Sequence, residues 1–416
     1  MSTLVESPGA TAPATQGFWS RLIHGNRRGE PFLRQPQRAI WYAILVVAIV
    51  IGAVAFVQRM LHGMAVTDLS SQVPWGIWVA FYIYFVGVSS GAFLLSTLPY
   101  VFRLRQFDRV GRIALWAALV SIGLALGFIG TDLGRIERST FVIAHFHWTS
   151  PLSWEVRFFM FYIAMLIASL WIAVRMQLGK TPEAKARHWL RILGIVGIPL
   201  TILGVPGASG TLFAVVKARG MWAGGLFPVI FIVSGMVAGT ALVTLIYILQ
   251  RRGIGLHPND STVRPLGWLL LALVSIDLLL TFYEFFVPLI SFQDAETTII
   301  DIMMTGPFWW SFWFVQIGCG LLIPFAILVS PLRKRAGWLA VATISLLIGI
   351  VGVRFNIVVP PLIAPVIKGY PTNNYLPTLV EWGVSMFFIA GGAFVYSLLS
   401  EVLPIHEPAA TDMKEV

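Results

Sequence analysis

The chain has 416 residues, of which 57% are hydrophobic and only 12% charged, with a net charge of +10. Soluble domains carry about 25% charged residues, so this composition excludes an ordinary water-soluble globule. The single cysteine, Cys319, cannot by itself hold an iron–sulfur cluster or a structural zinc, and it reads as a small apolar residue packed between helices.

Residues 1–38 lack the apolar core of a cleavable signal peptide, and Ser7 to Pro13 read as a disordered lead-in. Ten apolar stretches follow, at about 39–57, 76–101, 113–131, 157–175, 189–213, 226–249, 267–289, 307–329, 337–358 and 378–400. Most are long enough to cross a hydrocarbon core of roughly 30 Å at 1.5 Å per residue. In lipid every backbone polar group must be satisfied within its own segment, which makes the stretches helices; the period-two alternation of a barrel is absent. The fold class is therefore an all-α polytopic membrane protein, with a transmembrane domain over 39–403 and a short acidic tail at 404–416.

Lys and Arg concentrate in the N-terminal tail (Arg21, Arg27, Arg28, Arg34, Arg38) and in every second loop thereafter, ending with Arg333, Lys334 and Arg335. The loop between spans seven and eight holds only acids, Asp294, Glu296 and Asp301. Positive loops stay inside, which places both termini in the cytoplasm. The same distribution accounts for the basic balance without a nucleic-acid partner.

The polar residues gather towards the outward end. His62 lies after span one, and Pro74-Trp75-Gly76 marks the start of span two, where Pro needs no amide donor. Span three ends in Asp132-Leu133-Gly134-Arg135. The next loop carries His145 and His147, and span four opens with Trp154-Glu155. Trp75 and Trp154 suit an interfacial belt as well as a binding pocket. A loop histidine can be a bystander, but His exchanges protons near neutral pH, and Asp132 and Arg135 are close in sequence. His145 or His147 is thus the expected proton-exchanging group, with Asp132 as orienter or relay and Arg135 positioning a head group.

Span five is interrupted by Gly204-Val205-Pro206-Gly207-Ala208-Ser209-Gly210, where a break is expected. Span six carries small residues, Ser234, Gly235, Gly239 and Thr240, that suit close helix packing. Asp277 and Glu284 are seven apart on span seven and share a helical face. Arg354 and Asn356 lie in the outer part of span nine and Glu381 in the outer turn of span ten. Charges at membrane depth are costly unless paired or hydrated. An Arg354–Glu381 ion pair is one reading. The other is a proton path through Asp277, Glu284, Arg354 and Glu381 to an outward pocket. None of the seven histidines lies in the interior of a span, so no facing pair suits a b-type haem. No metal-ligating set is apparent.

Three stretches resemble the polysulfide-reductase-like, NrfD-type membrane subunits of bacterial and archaeal respiratory complexes. These are Asp132-Leu133-Gly134-Arg135 through Ser150-Pro151-Leu152-Ser153-Trp154-Glu155; Met221-Trp222 with Leu226 to Gly235 and Gly239-Thr240-Ala241; and Arg354-Phe355-Asn356 with Tyr375-Leu376-Pro377-Thr378 and Glu381. The last resembles the ten-helix branch. The resemblance implies two four-helix bundles, at about 76–213 and 226–358, plus two extra helices. It implies a subunit without haem or cluster of its own in a prokaryotic cytoplasmic membrane. Such a subunit exchanges electrons between menaquinone or ubiquinone and a multi-cluster iron–sulfur protein on the outer face. A further catalytic subunit, a molybdopterin enzyme, a hydrogenase or a multihaem cytochrome, would complete the complex, and proton translocation can accompany turnover. The quinone pocket would lie among spans two to five, with Asp132, Arg135, His145 and His147 at its mouth and Trp75 and Trp154 in its walls. Many relatives carry Tyr or His in the break of span five; here Ser209 or a loop histidine is left to bond the quinone carbonyl. The competing reading is a proton-coupled secondary transporter, which the broken span and intramembrane carboxylates also suit.

Overall fold

The computed structural model describes residues 37–291, 294–367 and 373–403. The terminal tails lie outside them, except that Gln37 and Arg38 already begin the first helix. Among the described residues there is no strand, and ten helical segments are long and apolar enough to cross a membrane.

Helix α1 covers Gln37–His62. It runs past the expected end at 57 and carries Arg59 into a buried position. Helix α2, Ile77–Tyr100, starts later than Pro74 suggests, with Gly76 in the capping position. Helix α3 spans Asp108–Asp132, and a short α4, Ser139–Ala144, interrupts the following loop. Helix α5, Pro151–Gln177, begins where the Ser150 side chain accepts from the Ser153 amide and Pro151 occupies the first turn. The fifth span is broken as expected: α6, Glu183–Gly204, stops at Val205, and α7, Pro206–Ala214, restarts after it. Then come α8, Leu226–Gly253, α9, Asp260–Ser291, and α10, Asp294–Met304. The eighth span is a π-helix, Ser311–Leu322, continued by α11, Ile323–Val329. Helices α12, Ala336–Ile363, and α13, Leu379–Val402, complete the order.

Helices α2, α3, α5, α6 and α7 pack against one another, as do α8, α9, the π-helix, α11 and α12; α1 pairs with α13, which rests on α3. Helix α2 is the hub: nearly all its residues are buried in protein, whereas α1 is mostly turned away from it. Without a hydrophobic drive between helices in lipid, close approach depends on small residues. A Cβ added at Gly91 of α2 would lie 2.1 Å from the Gly235 carbonyl oxygen of α8, and one at Gly239 would lie 2.2 Å from the Ala92 nitrogen. The two halves of the protein are therefore in backbone contact along this seam.

Prolines inside helices leave carbonyls without a partner, and the fold answers them. Pro361 has no amide to offer the Ile357 carbonyl, and Trp222 Nε1 donates to that oxygen at 2.6 Å. Arg219 Nη1 donates to Pro361 O and Ala364 O, each at 2.6 Å, and closes the end of α12. In the π-helix, Ser345 Oγ donates to Cys319 O at 2.7 Å.

Gly91→Ala should lower the thermal unfolding midpoint of the purified protein, since overpacking costs about 1–3 kcal/mol. Gly123→Ala on α3, where nothing lies within 4 Å of the added carbon, should change stability by less than about 0.5 kcal/mol. Differential scanning fluorimetry of the two variants in one detergent checks the contrast; equal midpoints would show that the seam yields.

Candidate functional site

Three polar centres are built at the junctions between helices, and each touches α2. The first joins α2, α5 and α7. The cap at Ser150 sets the rotation of α5 so that Glu155, in its second turn, points into the protein and is only 2% exposed. Tyr82 Oη donates to Glu155 Oε1 at 2.8 Å, and Ser209 Oγ donates to the same oxygen. The break at Val205 restarts the chain as α7 and so carries Ser209 to this position. One turn on, Phe213 packs edge-on to both Trp75 and Trp222, which stack on each other with centroids 5.8 Å apart. At the start of α5, Trp154 stacks on Phe158 and meets Trp148 and Phe146, with the Arg157 guanidinium 4.2 Å over the Phe146 ring. The result is a buried carboxylate held by two hydroxyl donors, on helices that also carry clustered aromatic rings.

The second centre lies at the end that the charge pattern assigns to the outside. Arg59, 3% exposed, donates from Nε to Thr131 O at 3.0 Å and from Nη2 to Leu133 O at 2.8 Å. Between those carbonyls sits Asp132, within Coulombic reach of Arg59 and Glu381, with Oδ1 shut off from solvent and without a hydrogen bond. Glu381 is fully buried. It accepts from Tyr375 Oη at 2.6 Å, Thr378 N at 2.9 Å and Asp68 N at 3.2 Å, while Thr378 Oγ1 accepts from Glu381 N, a reciprocal cap on α13. Tyr375 Oη also accepts from the Ile77 amide at 2.9 Å, which ties Glu381 to the start of α2. A Cβ at Gly76 would lie 2.2 Å from that phenol oxygen, so only glycine fits. Burial, and then the Glu381 carboxylate, push the Tyr375 phenol far above its ordinary pKa, so it stays a donor.

The third centre is between α8, α9 and α12. Arg354, 1% exposed, donates from Nη2 to Ser234 Oγ at 2.6 Å and lies 4.3 Å over the Phe231 ring. Gly87 of α2 passes beside the same nitrogen. Asp277 and Glu284 are within Coulombic reach of the guanidinium, whose Nε and Nη1 carry no hydrogen bond; Glu284 Oε1 is likewise buried and unpaired. Asn356 Nδ2 donates to Gln316 Oε1 of the π-helix at 2.8 Å. The Arg354–Glu381 pair suggested by the sequence does not form, because each residue is engaged in a different centre.

The expected site residues are thus divided. Asp132 and Glu381 come together, joined by Arg59, which sequence reasoning missed. Ser209 is brought to Glu155 and Tyr82, while Asp277, Glu284 and Arg354 form one cluster. Arg135, His145 and His147 are exposed. The hydrogen bonds of the two histidine rings are local, His145 Nδ1 with Phe141 O and His147 Nδ1 with Thr149 Oγ1, so neither is bonded to Asp132. Tyr82 was hidden in an apolar run with no polar neighbour in sequence. Tyr375 was visible only as part of the Tyr375-Leu376-Pro377-Thr378 stretch.

Comparison with known proteins adds a family profile described as "Polysulphide reductase, NrfD", which matches residues 65–365. The chain is 33% identical to a selenate reductase component from Mesobacillus selenatarsenatis, over 88% of this chain and 94% of the relative. It is 24% identical to the Hdr-like menaquinol oxidoreductase integral membrane subunit of Archaeoglobus fulgidus, over 82% and 88% of the two chains. It is also 24% identical to the probable Ni/Fe-hydrogenase 2 b-type cytochrome subunit of Escherichia coli, over 86% and 91%.

Tyr375→Phe removes a donor from Glu381 and an acceptor from the Ile77 amide. Leaving buried polar groups unpaired costs about 1–3 kcal/mol each, so the variant should unfold at a visibly lower temperature. Circular dichroism melting of the purified protein measures the shift; an unchanged midpoint would mean that water replaces the phenol.

Proposed function

This chain belongs to the polysulphide reductase NrfD family, and from that premise we propose that it is the quinol-oxidising membrane subunit of a reductase complex. The observation that carries the reading is the Glu155 carboxylate, buried where α2, α5 and α7 converge and bonded by Tyr82 and Ser209. Pockets for apolar ligands combine aromatic walls with a few placed polar groups, and the helices that hold this carboxylate also carry aromatic rings, Trp154 and Phe158 on α5 and Phe213 one turn beyond Ser209 on α7.

Oxidation of one quinol releases two electrons and two protons. The electrons pass to a redox partner on the outer face, which this reading takes to be an iron–sulfur protein with several clusters, joined to a catalytic subunit that reduces the final acceptor. The relatives named for a selenate reductase and a menaquinol oxidoreductase support that direction and a menaquinol donor. The Glu155 carboxylate takes one proton from a quinol hydroxyl at Oε2, while the hydroxyls of Tyr82 and Ser209, both donating to Oε1, hold the carboxylate in place and stabilise its charge. The b-type cytochrome of the third relative's name is not carried over, since the described histidines lie in loops or near helix ends.

Asp277, Glu284 and Arg354 suit a proton route from the cytoplasmic side towards this site, because unpaired polar atoms at membrane depth call for water or proton-carrying neighbours. In this reading both termini face the cytoplasm and the complex sits in the cytoplasmic membrane of a prokaryote.

Glu155→Gln keeps the shape and removes the proton acceptor. In the purified complex it should lower quinol-dependent turnover by about 100-fold or more, while the subunits still co-purify; Tyr82→Phe should give a smaller loss. Wild-type turnover in Glu155→Gln, with loss in His147→Ala instead, would move the acceptor to the outer loop. A chain that purifies without a redox partner and carries protons with a solute would favour transport.

A further inference from the structure

We propose that the α1–α13 helix pair completes a proton-exchange centre at the outer end, in which Asp132 binds and releases the proton and Arg59 positions and tunes it. The proposal rests on the quinol reading for its purpose and on its own geometry for its residues.

Of the two carboxyl groups here, Glu381 is committed. Three donors, the Tyr375 phenol and the amides of Thr378 and Asp68, occupy its oxygens. Asp132 is not: Oδ1 is buried without a hydrogen bond. Its residue stands at the border between the packed interior and the solvent-exposed run that begins at Leu133. A group that passes protons between a buried site and water must stand between the two, and Asp132 is placed so, with Oδ1 on the buried side and exposed residues following it. It also sits at the C-terminal end of α3, with the Glu381 carboxylate nearby.

Arg59 supplies the opposite charge. The guanidinium spends two donors on the carbonyls at either side of Asp132, which holds the chain there and brings its positive charge to the Asp132 carboxyl. The charged and titratable groups at this centre are Arg59 from α1, Glu381 from α13, Tyr375 from the segment before α13, and Asp68, whose Oδ2 accepts from the Leu376 amide at 2.7 Å. Of these, Arg59 alone is cationic. The proton taken up is one released by quinol oxidation; Asp132 becomes a neutral acid, gives the proton to outer water and returns to carboxylate.

Infrared titration of carboxyl protonation in the membrane-embedded complex tests this without quinol. The protonated-carboxyl band assigned to Asp132 should vanish in Asp132→Asn. It should move to higher pH by about one unit or more in Arg59→Gln, which deletes the opposing charge, and stay near its wild-type position in Arg59→Lys. The acid limb of the turnover–pH profile should follow the same order. A purely structural Arg59 would lower thermal stability in both variants and leave band and profile in place, which overturns the proposal. Retained turnover in Glu155→Gln speaks only to the quinol reading, so the two failures are told apart.

Discussion

The backbone contact between α2 and α8 is the constraint on which the rest of the protein depends. Gly91 meets Gly235, and Gly239 meets Ala92, at distances that admit no side chain. That approach buries α2 on every side and makes it the common wall of all three polar centres. Its first amide reaches Tyr375, the Trp78 indole donates to the Glu381 carbonyl, Tyr82 holds Glu155, and Gly87 passes beside Arg354. A bulkier seam would separate the halves and pull each centre apart at once.

Irregular backbone is used in the same economical way. Lipid offers nothing to a freed carbonyl, so breaks survive only where protein groups answer them. The break at Val205 places Ser209 on Glu155, and the Pro361 gap is closed by Trp222, whose ring also walls the aromatic cluster beside Phe213. Helix defects and site residues are therefore the same residues. The π-helix is a further case: it carries Gln316 to Asn356, next to the Arg354 cluster.

Carboxyl groups occur in each of the three centres. Relatives of this chain are named as a subunit of a selenate reductase and an integral membrane subunit of a menaquinol oxidoreductase. On the quinol reading, electrons leave through a partner while this chain handles the protons, with Glu155 in the interior and Asp132 at the border.

Length and apolarity of each stretch are local properties, because a segment inserts or not according to its own residues, and so the ten spans and the break in span five were legible in sequence, whereas α5 starts at Pro151, ahead of the expected opening at Trp154. Span one runs past its expected end at about 57 and takes in Arg59, whose charge is satisfied by carbonyls more than seventy residues away. Distance in the chain also hid Tyr82 and left an Arg354–Glu381 pair as one of two readings, of which the pair does not form. Which charges meet depends on how helices are rotated and seated against one another, and that is set by the glycine seam, the capping boxes and the proline gaps acting together. The sequence by itself determined how many helices cross and which residues are polar at depth. Tertiary packing alone decided the partners, because pairing energy is felt only when helices distant in the chain come within hydrogen-bond reach.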